Sequence, residues 1–311
     1  MNASFAGWLL RSPGRAALAA ALAGLLVWPT GIMFTAWAPG AVLACLVFAG
    51  KQSPKWVPAS LIAAGIPLAW GLGQGVGTVI GAGLAAAVLL PTVGLAAWLR
   101  RTNSLSYTLQ MAAVVAVAGT IGANVLVDDS KSFWQPFLVG VEQMMQQMAG
   151  AGGDPEIAAA SHQLAEAYGR IAWGLVAWLV MLQALLGVFV GLFWFGRSRG
   201  THELGPRFRA LKAGRVLALF IVLAWLLATL RVAHEADDVV SVLLGVFLLQ
   251  GLALSHAARL HFGLGSWSLV LFYVMLFLPP FAALVMPVIV VAGWLDNWLD
   301  FRGRWAKKPA A

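Results

Sequence analysis

The sequence is poor in charge and nearly without cysteine. Only 10% of its residues are charged, where soluble domains carry about 25%. With 61% hydrophobic residues over 311 positions, a soluble fold could not hide the apolar surface it would carry. The one cysteine, Cys45, lies inside an apolar run. That excludes an internal disulfide, a CxxC redox pair and a Cys/His zinc site, and Cys45 reads as a small buried apolar residue. No carboxylate falls at the predicted middle of a membrane segment, which weakens an ion-coupled pump. There are no paired acids, no GxSxG and no two-His metal pair. His234-Glu235 is not an HExxH motif, because position 238 is Asp. His256 and His261 are five apart and do not share a helical face. Neither an enzyme nor a bound metal or cofactor is expected.

What is present is a series of long apolar runs, the mark of membrane helices. Ten segments are predicted: 16–32, 36–50, 56–72, 75–99, 107–127, 169–195, 213–230, 239–258, 263–278 and 281–298. The first pair is broken by Pro29 and Gly31, the last by Pro279-Pro280, since proline removes a backbone donor. Each arm of these pairs is short for a ~30 Å hydrocarbon core, so either pair reads as two crossings or as a re-entrant hairpin. Ala36-Trp37-Ala38 is faintly like a signal-peptidase site. Apolar sequence continues to Gly50, however, and a retained first helix is expected.

The formal charge is +8, but its placement says more than its size. With ten crossings and a cytoplasmic N-terminus, 17 of the 20 Lys and Arg lie inside, and nine of the 12 acids outside. The only basic residues outside are Lys131, Arg170 and Arg231. This is the positive-inside distribution, not the basic face of a nucleic-acid binder. The expectation is one integral membrane domain over 1–311, all-α, a polytopic bundle of eight to ten segments with both termini in the cytoplasm. Trp56, Trp98, Trp194 and Trp298 fall near inside ends, and Trp28, Trp37, Trp70 and Trp173 near outside ends, as interfacial tryptophans do.

Several features bear on function. The extracytoplasmic stretch 128–168 carries Phe133, Phe137, Val141, Met144 and Met148 on one helical face, with Gln135, Glu142 and Gln146 off it. Two readings compete: a helix lying on the membrane, or a lid over an outward-facing cavity. Asp154-Pro155 marks a following helix start. Gly73, Gly77 and Gly81 repeat at four-residue spacing without a Lys-Ser or Lys-Thr, so they form no phosphate loop. Such spacing suits close helix packing, with a cavity of bare backbone as the lesser reading. Acids at 128, 129, 235, 237 and 238 lie near Arg231 and His234, either as solvated loop charges or as a cation vestibule. Gln74, Gln110, Asn124, Gln183 and Gln250 are the polar residues of the spans. Gly73, Gly77, Gly81, Gln110 and His256 are the candidate small-molecule contacts.

The basic cytoplasmic loop is expected over 196–212 and an interfacial tail over 293–311. In the tail, Trp294, Trp298, Phe301 and Trp305 share a stripe if helical, with Asp296 and Asp300 on the far side and Arg304 at i+4 from Asp300. Trp294, Asp296, Trp298, Asp300 and Arg302 are therefore candidate anchor residues, the acids facing the arginine-rich loop 197–215. The ending Gly293-x-x-Asp296-x-Trp298-x-Asp300-Phe301-Arg302 resembles the C-terminal signature of the YybS-like bacterial membrane family. Leu90-Pro91, Leu99-Arg100-Arg101, Gly251-Leu252 and His256 are similar to its other recurring points. The resemblance covers nearly the whole chain. It implies a multi-pass protein of the bacterial inner membrane, with an architecture similar to the substrate-binding subunits of energy-coupling-factor transporters and to MreD. Those subunits have about six helices, against ten segments here. Shared fold does not establish shared function. The competing expectations are a small-molecule binding or transport component, and a scaffold whose partners are lipid and another membrane protein.

Overall fold

A computed structural model describes residues 5–26, 35–50, 55–127, 130–149, 155–233 and 235–306. Among them it holds helices and turns but no strand. The chain is an all-α, multi-pass membrane protein. Among the described residues six helices are long and apolar enough to cross a bilayer: α4 (Trp56–Val76), α5 (Thr78–Thr102), α6 (Leu105–Leu126), α9 (Ala172–Ser198), α12 (Ala236–His261) and α14 (Pro279–Leu299). Three shorter apolar helices are α3 (Trp37–Ala49), α11 (Arg215–Thr229) and α13 (Trp267–Phe277). α2 (Pro13–Leu25) matches the first expected segment, with Ser12 accepting the Arg15 N–H as its N-cap. Pro29 and Gly31 lie outside the described residues. The other helices among the described residues are α1 (Phe5–Leu9), α7 (Ser130–Ala149), α8 (Pro155–Arg170), α10 (Leu204–Arg209) and α15 (Phe301–Ala306).

Each of the ten expected segments meets a helix, and the breaks come where the chain chemistry puts them. Pro279 and Pro280 occupy the first turn of α14, after Leu278 leaves the helical region at ψ 117°. Pro91 is carried inside α5 and Pro67 inside α4.

The chain forms two compact units. The first holds residues 1–115, 179–218 and 246–311, the second 116–178 and 219–245. In the first, α1 packs on α2, α2 on α3 and α4, and α3 and α4 on α5. Its core joins Leu9, Ala20, Leu43, Leu46, Leu68, Val88 and Leu89. Lipid offers no hydrophobic drive between helices, so small residues and close contact hold them together. α4 turns into α5 through Gly77 alone, at φ +91°, where an L side chain would be strained. A Cβ on Gly81 would lie 2.4 Å from the Ala69 carbonyl oxygen and 2.6 Å from Gly73 Cα. Gly251 and Gly293 bring α12 and α14 equally close, with the Phe247 carbonyl 2.3 Å from where a Gly293 Cβ would be. In the second unit α7 packs on α8.

Gly81→Ala drives a methyl into the α4 backbone and should cost about 1–3 kcal/mol. Gly83→Ala, with nothing within 4 Å, should be neutral or stabilising by up to about 1 kcal/mol. Thermal unfolding in detergent checks this; equal midpoints for the two variants would refute close packing at Gly81.

Candidate functional site

The second unit contains a cavity of about 630 Å³. α7 lines it with Trp134, Leu138 and Glu142, one turn apart, and with Gln135 and Val139 beside them. α8 adds His162, Ala165, Glu166 and Gly169, which also share one face. Trp173 comes from the start of α9, Asn124 from α6, Asp237 and Asp238 from the start of α12, and Arg231 from the turn before it. Leu138 and Gly169 touch where the two helices cross, since a Gly169 Cβ would lie 3.0 Å from Leu138 Cδ1. Phe133, Trp134 and Trp173 form an aromatic cluster with ring centroids 4.9–5.2 Å apart.

The polar groups of this cavity divide into two kinds. Asp238 is buried and fully engaged: it accepts the Gly174 N–H at 2.7 Å and the Asn124 amide at 3.0 Å. Gly174 allows this approach, because a Cβ there would meet the Asp238 carbonyl oxygen at 2.2 Å. The others are loosely paired. Arg231 lies 3.4 Å from Asp237, and His162 stands 3.9 Å from Glu142 and 3.7 Å from Glu166. His162, Glu166 and Arg231 side chains are each about two-thirds exposed.

The Phe/Met stripe of α7 and the residues that line the cavity lie on different faces of the helix. On α7 the face toward the cavity is the one through Trp134, Leu138 and Glu142, rotated about 100° from the Phe/Met stripe at 100° per residue. Phe133 and Met144, the stripe members with described side chains, are 42% and 55% exposed. Phe133 nonetheless stacks on Trp173, which lines the cavity, so the stripe borders the cavity face rather than opposing it. Of the acids singled out with Arg231, Asp237 and Asp238 line the cavity, while Asp128, Asp129 and His234 lie outside the described residues.

The small-molecule candidates are not brought together. Gly73 and Gly81 are buried in the contact between α4 and α5, and Gly77 is the exposed turn between them. Gln110 packs against Gly214, its Nε2 3.0 Å from where a Cβ would be. His256 shares a hydrogen bond of 2.9 Å with the Tyr273 hydroxyl and meets the Phe208 ring edge-on. None of these five lines the cavity of the second unit. His162, Glu166, Ala165 and Gly169 escaped the sequence reading, although their i, i+3, i+4, i+7 spacing was there to be seen.

The anchor residues form a polar cluster in the first unit. α14 ends at Leu299 and Asp300 turns left-handed at φ 45°, so the expected aromatic stripe is cut between Trp298 and Phe301. Asp296 and Asp300 then part ways. Asp296 is fully buried, 3.0 Å from Arg302 Nη2, and accepts the Phe301 N–H at 3.1 Å. Arg302 Nη1 donates to the Arg209 carbonyl at 2.6 Å. Burial lowers the Arg302 pKa from its ordinary value, against the opposing pull of Asp296; arginine nonetheless stays protonated. Asp300 is exposed and pairs with Lys212 rather than with Arg304. The hydrogen bond and charge of Lys212 hold the Asp300 carboxyl below its usual range. Both acids thus tie the tail to the loop before α11, one directly and one through Arg302.

The backbone of that loop is held from three helices, α6, α12 and α14. The Lys212, Ala213 and Gly214 N–H groups donate in succession to Ser106 Oγ at 3.0 Å, Gln250 Oε1 at 2.7 Å and Asn297 Oδ1 at 2.9 Å.

No protein-family model, curated protein or solved structure matches the chain. The fold and its apolar helices define the class as a multi-pass helical membrane protein.

Asp296→Ala leaves Arg302 buried without its carboxylate and should cost about 3 kcal/mol or more. Asp300→Ala removes an exposed pair and should leave the unfolding midpoint nearly unchanged at neutral pH. Because the folded Asp300 pKa is lowered, whatever its pair contributes is present at neutral pH and lost as pH falls through that lowered value. Unfolding curves of both variants decide the ranking, and equal loss would refute it.

Proposed function

We propose that the chain is a small-molecule-binding component of the membrane, and that the 630 Å³ cavity in the second unit receives the ligand. One observation carries this reading: the cavity combines indole rings with charged groups in a volume typical of ligand sites. Trp134, Trp173, Leu138 and Val139 offer apolar surface, while Glu142, Glu166, Arg170 and Arg231 offer charge of both signs. By the positive-inside rule, these residues belong to the extracytoplasmic segments, so the ligand enters from outside. Both termini are then cytoplasmic, and the membrane is the bacterial inner membrane if the YybS-like resemblance holds. The chain makes no chemical change to its ligand in this reading.

A second reading is a scaffold for an envelope complex. The observation in its favour is the tail, where the buried Asp296, Gln250 and Asn297 fasten helices to the loop before α11 and leave a fixed surface.

Native mass spectrometry of protein released from lipid discs separates the two. An adduct of defined small-molecule mass is expected on the wild type and absent from Val139→Trp, which fills the cavity. A mass showing only lipid or a co-purified protein would overturn the binding reading and favour the scaffold.

A further inference from the structure

A second recess lies in the first unit, about 500 Å³ in volume, where the last turns of α9 meet the loop and short helix at 201–209. Its composition changes along its length. Phe189, Leu192 and Phe193 line one end, and His202 and Arg209 the other, with His256 between α9 and the hydroxyl of Tyr273. Phe189 is seven residues before Gly196, so the apolar end reaches about 10 Å into the span at 1.5 Å per residue. The wall is aromatic rather than merely greasy, because Phe208 stands edge-on to both Phe189 and His256. Glu203 also borders the recess, but it pairs with Arg207. Among the described residues, no carboxylate is paired with the Arg209 side chain.

We propose that this recess binds an anionic phospholipid from the bilayer, with the phosphate at Arg209 and His202 and an acyl chain along Leu192 and Phe193. Two facts select that occupant over a soluble anion. The recess runs from charged to apolar along the direction of a membrane helix, as a lipid does. Arg209 also borders it with no carboxylate partner among the described residues, and basic recesses between membrane helices on the cytoplasmic side attract anionic headgroups. Arginine offers a fork of donors that a phosphate fills. The main-chain carbonyl of Arg209 already holds Arg302, so a bound lipid would sit directly on the fastening of the tail.

The test is native mass spectrometry of the full chain from micelles containing phosphatidylglycerol or, in parallel, phosphatidylcholine. Selective retention of phosphatidylglycerol is expected, reduced about fivefold by Arg209→Gln, one surface arginine's worth of attraction. That substitution keeps the backbone carbonyl that Arg302 uses. Arg199→Gln is the charge-matched control. Its guanidinium lies over the Phe195 ring at 4.8 Å, and neither residue lines the recess, so retention should persist. Equal loss in the two variants would reduce the effect to general charge and overturn the site, as would equal retention of both lipids. Inorganic phosphate competing as well as phosphatidylglycerol would overturn the lipid assignment in favour of a soluble anion.

Discussion

The arrangement of the first unit depends on pairing the backbone N–H groups that broken helices leave over. Buried in the protein such a group has no water to pair with, and each one unpaired costs on the order of several kcal/mol. This chain breaks its helices before Trp37 and across residues 210–214. The polar side chains of its spans are used at those breaks. Gln183, 2% exposed, accepts the Trp37 N–H at 3.0 Å, at the opening turn of α3. Gln250 and Asn297 accept from Ala213 and Gly214, and Ser106 from Lys212. The loop at 210–214 is buried at Leu211 and Ala213, where a buried loop is normally excluded by its own backbone. Three helices make it possible by each supplying one oxygen.

Once such a loop is fixed, its neighbours must come close, and glycine sets the distance. Gly293 and Gly251 let α14 lie against α12 with backbone atoms in contact, which places Asn297 and Asp296 one turn further on beside Gln250. Gln250 Nε2 is 3.4 Å from Asp296 Oδ2, and Asn297 Nδ2 is 3.3 Å from Gln250 Oε1. A bulkier seam would separate these groups and take the Gln250 amide away from the buried Asp296 carboxylate. Packing and polar pairing are therefore one design problem here: small residues are required where polar residues must meet.

The helical architecture was legible because its signals are local. Runs of apolar residues, proline pairs and the basic loops locate ten segments, and each corresponds to a helix. Helix starts were legible too, as with Pro279 and Pro280 in the first turn of α14, while Asp154 lies outside the described residues. Pair identity was not. Asp300 sits four residues before Arg304, a favoured helical pairing, yet Asp300 adopts φ 45° and its partner is Lys212, 88 positions away. A single left-handed residue, which sequence marks only weakly when it is not glycine, redirected both acids of the tail. The cavity was harder still. Its wall on α7 is the mixed face of Trp134, Gln135, Leu138 and Glu142, while the regular Phe/Met stripe drew attention to the face beside it. Periodicity finds faces that are uniformly apolar, and ligand sites are mixed.

The two sets of polar residues differ in how tightly they are committed, and that difference separates structure from site. Asp296, Asn297, Gln250 and Asp238 are each under 9% exposed and each accepts or donates within the protein. Displacing any of them would strand a buried partner at a cost of about 1–3 kcal/mol or more. Glu142, Glu166, His162, Asp237 and Arg231 instead stand 3.4–3.9 Å from one another on partly exposed side chains. Exposed pairs of that kind contribute about 0–1 kcal/mol. Breaking such a contact costs little, whereas breaking one of the first set strands a buried group. The same comparison singles out Arg209, whose carbonyl is engaged while its guanidinium has no carboxylate partner among the described residues. In a protein whose polar side chains are mostly occupied by its own backbone, groups held so loosely are the ones left able to answer to something outside the chain.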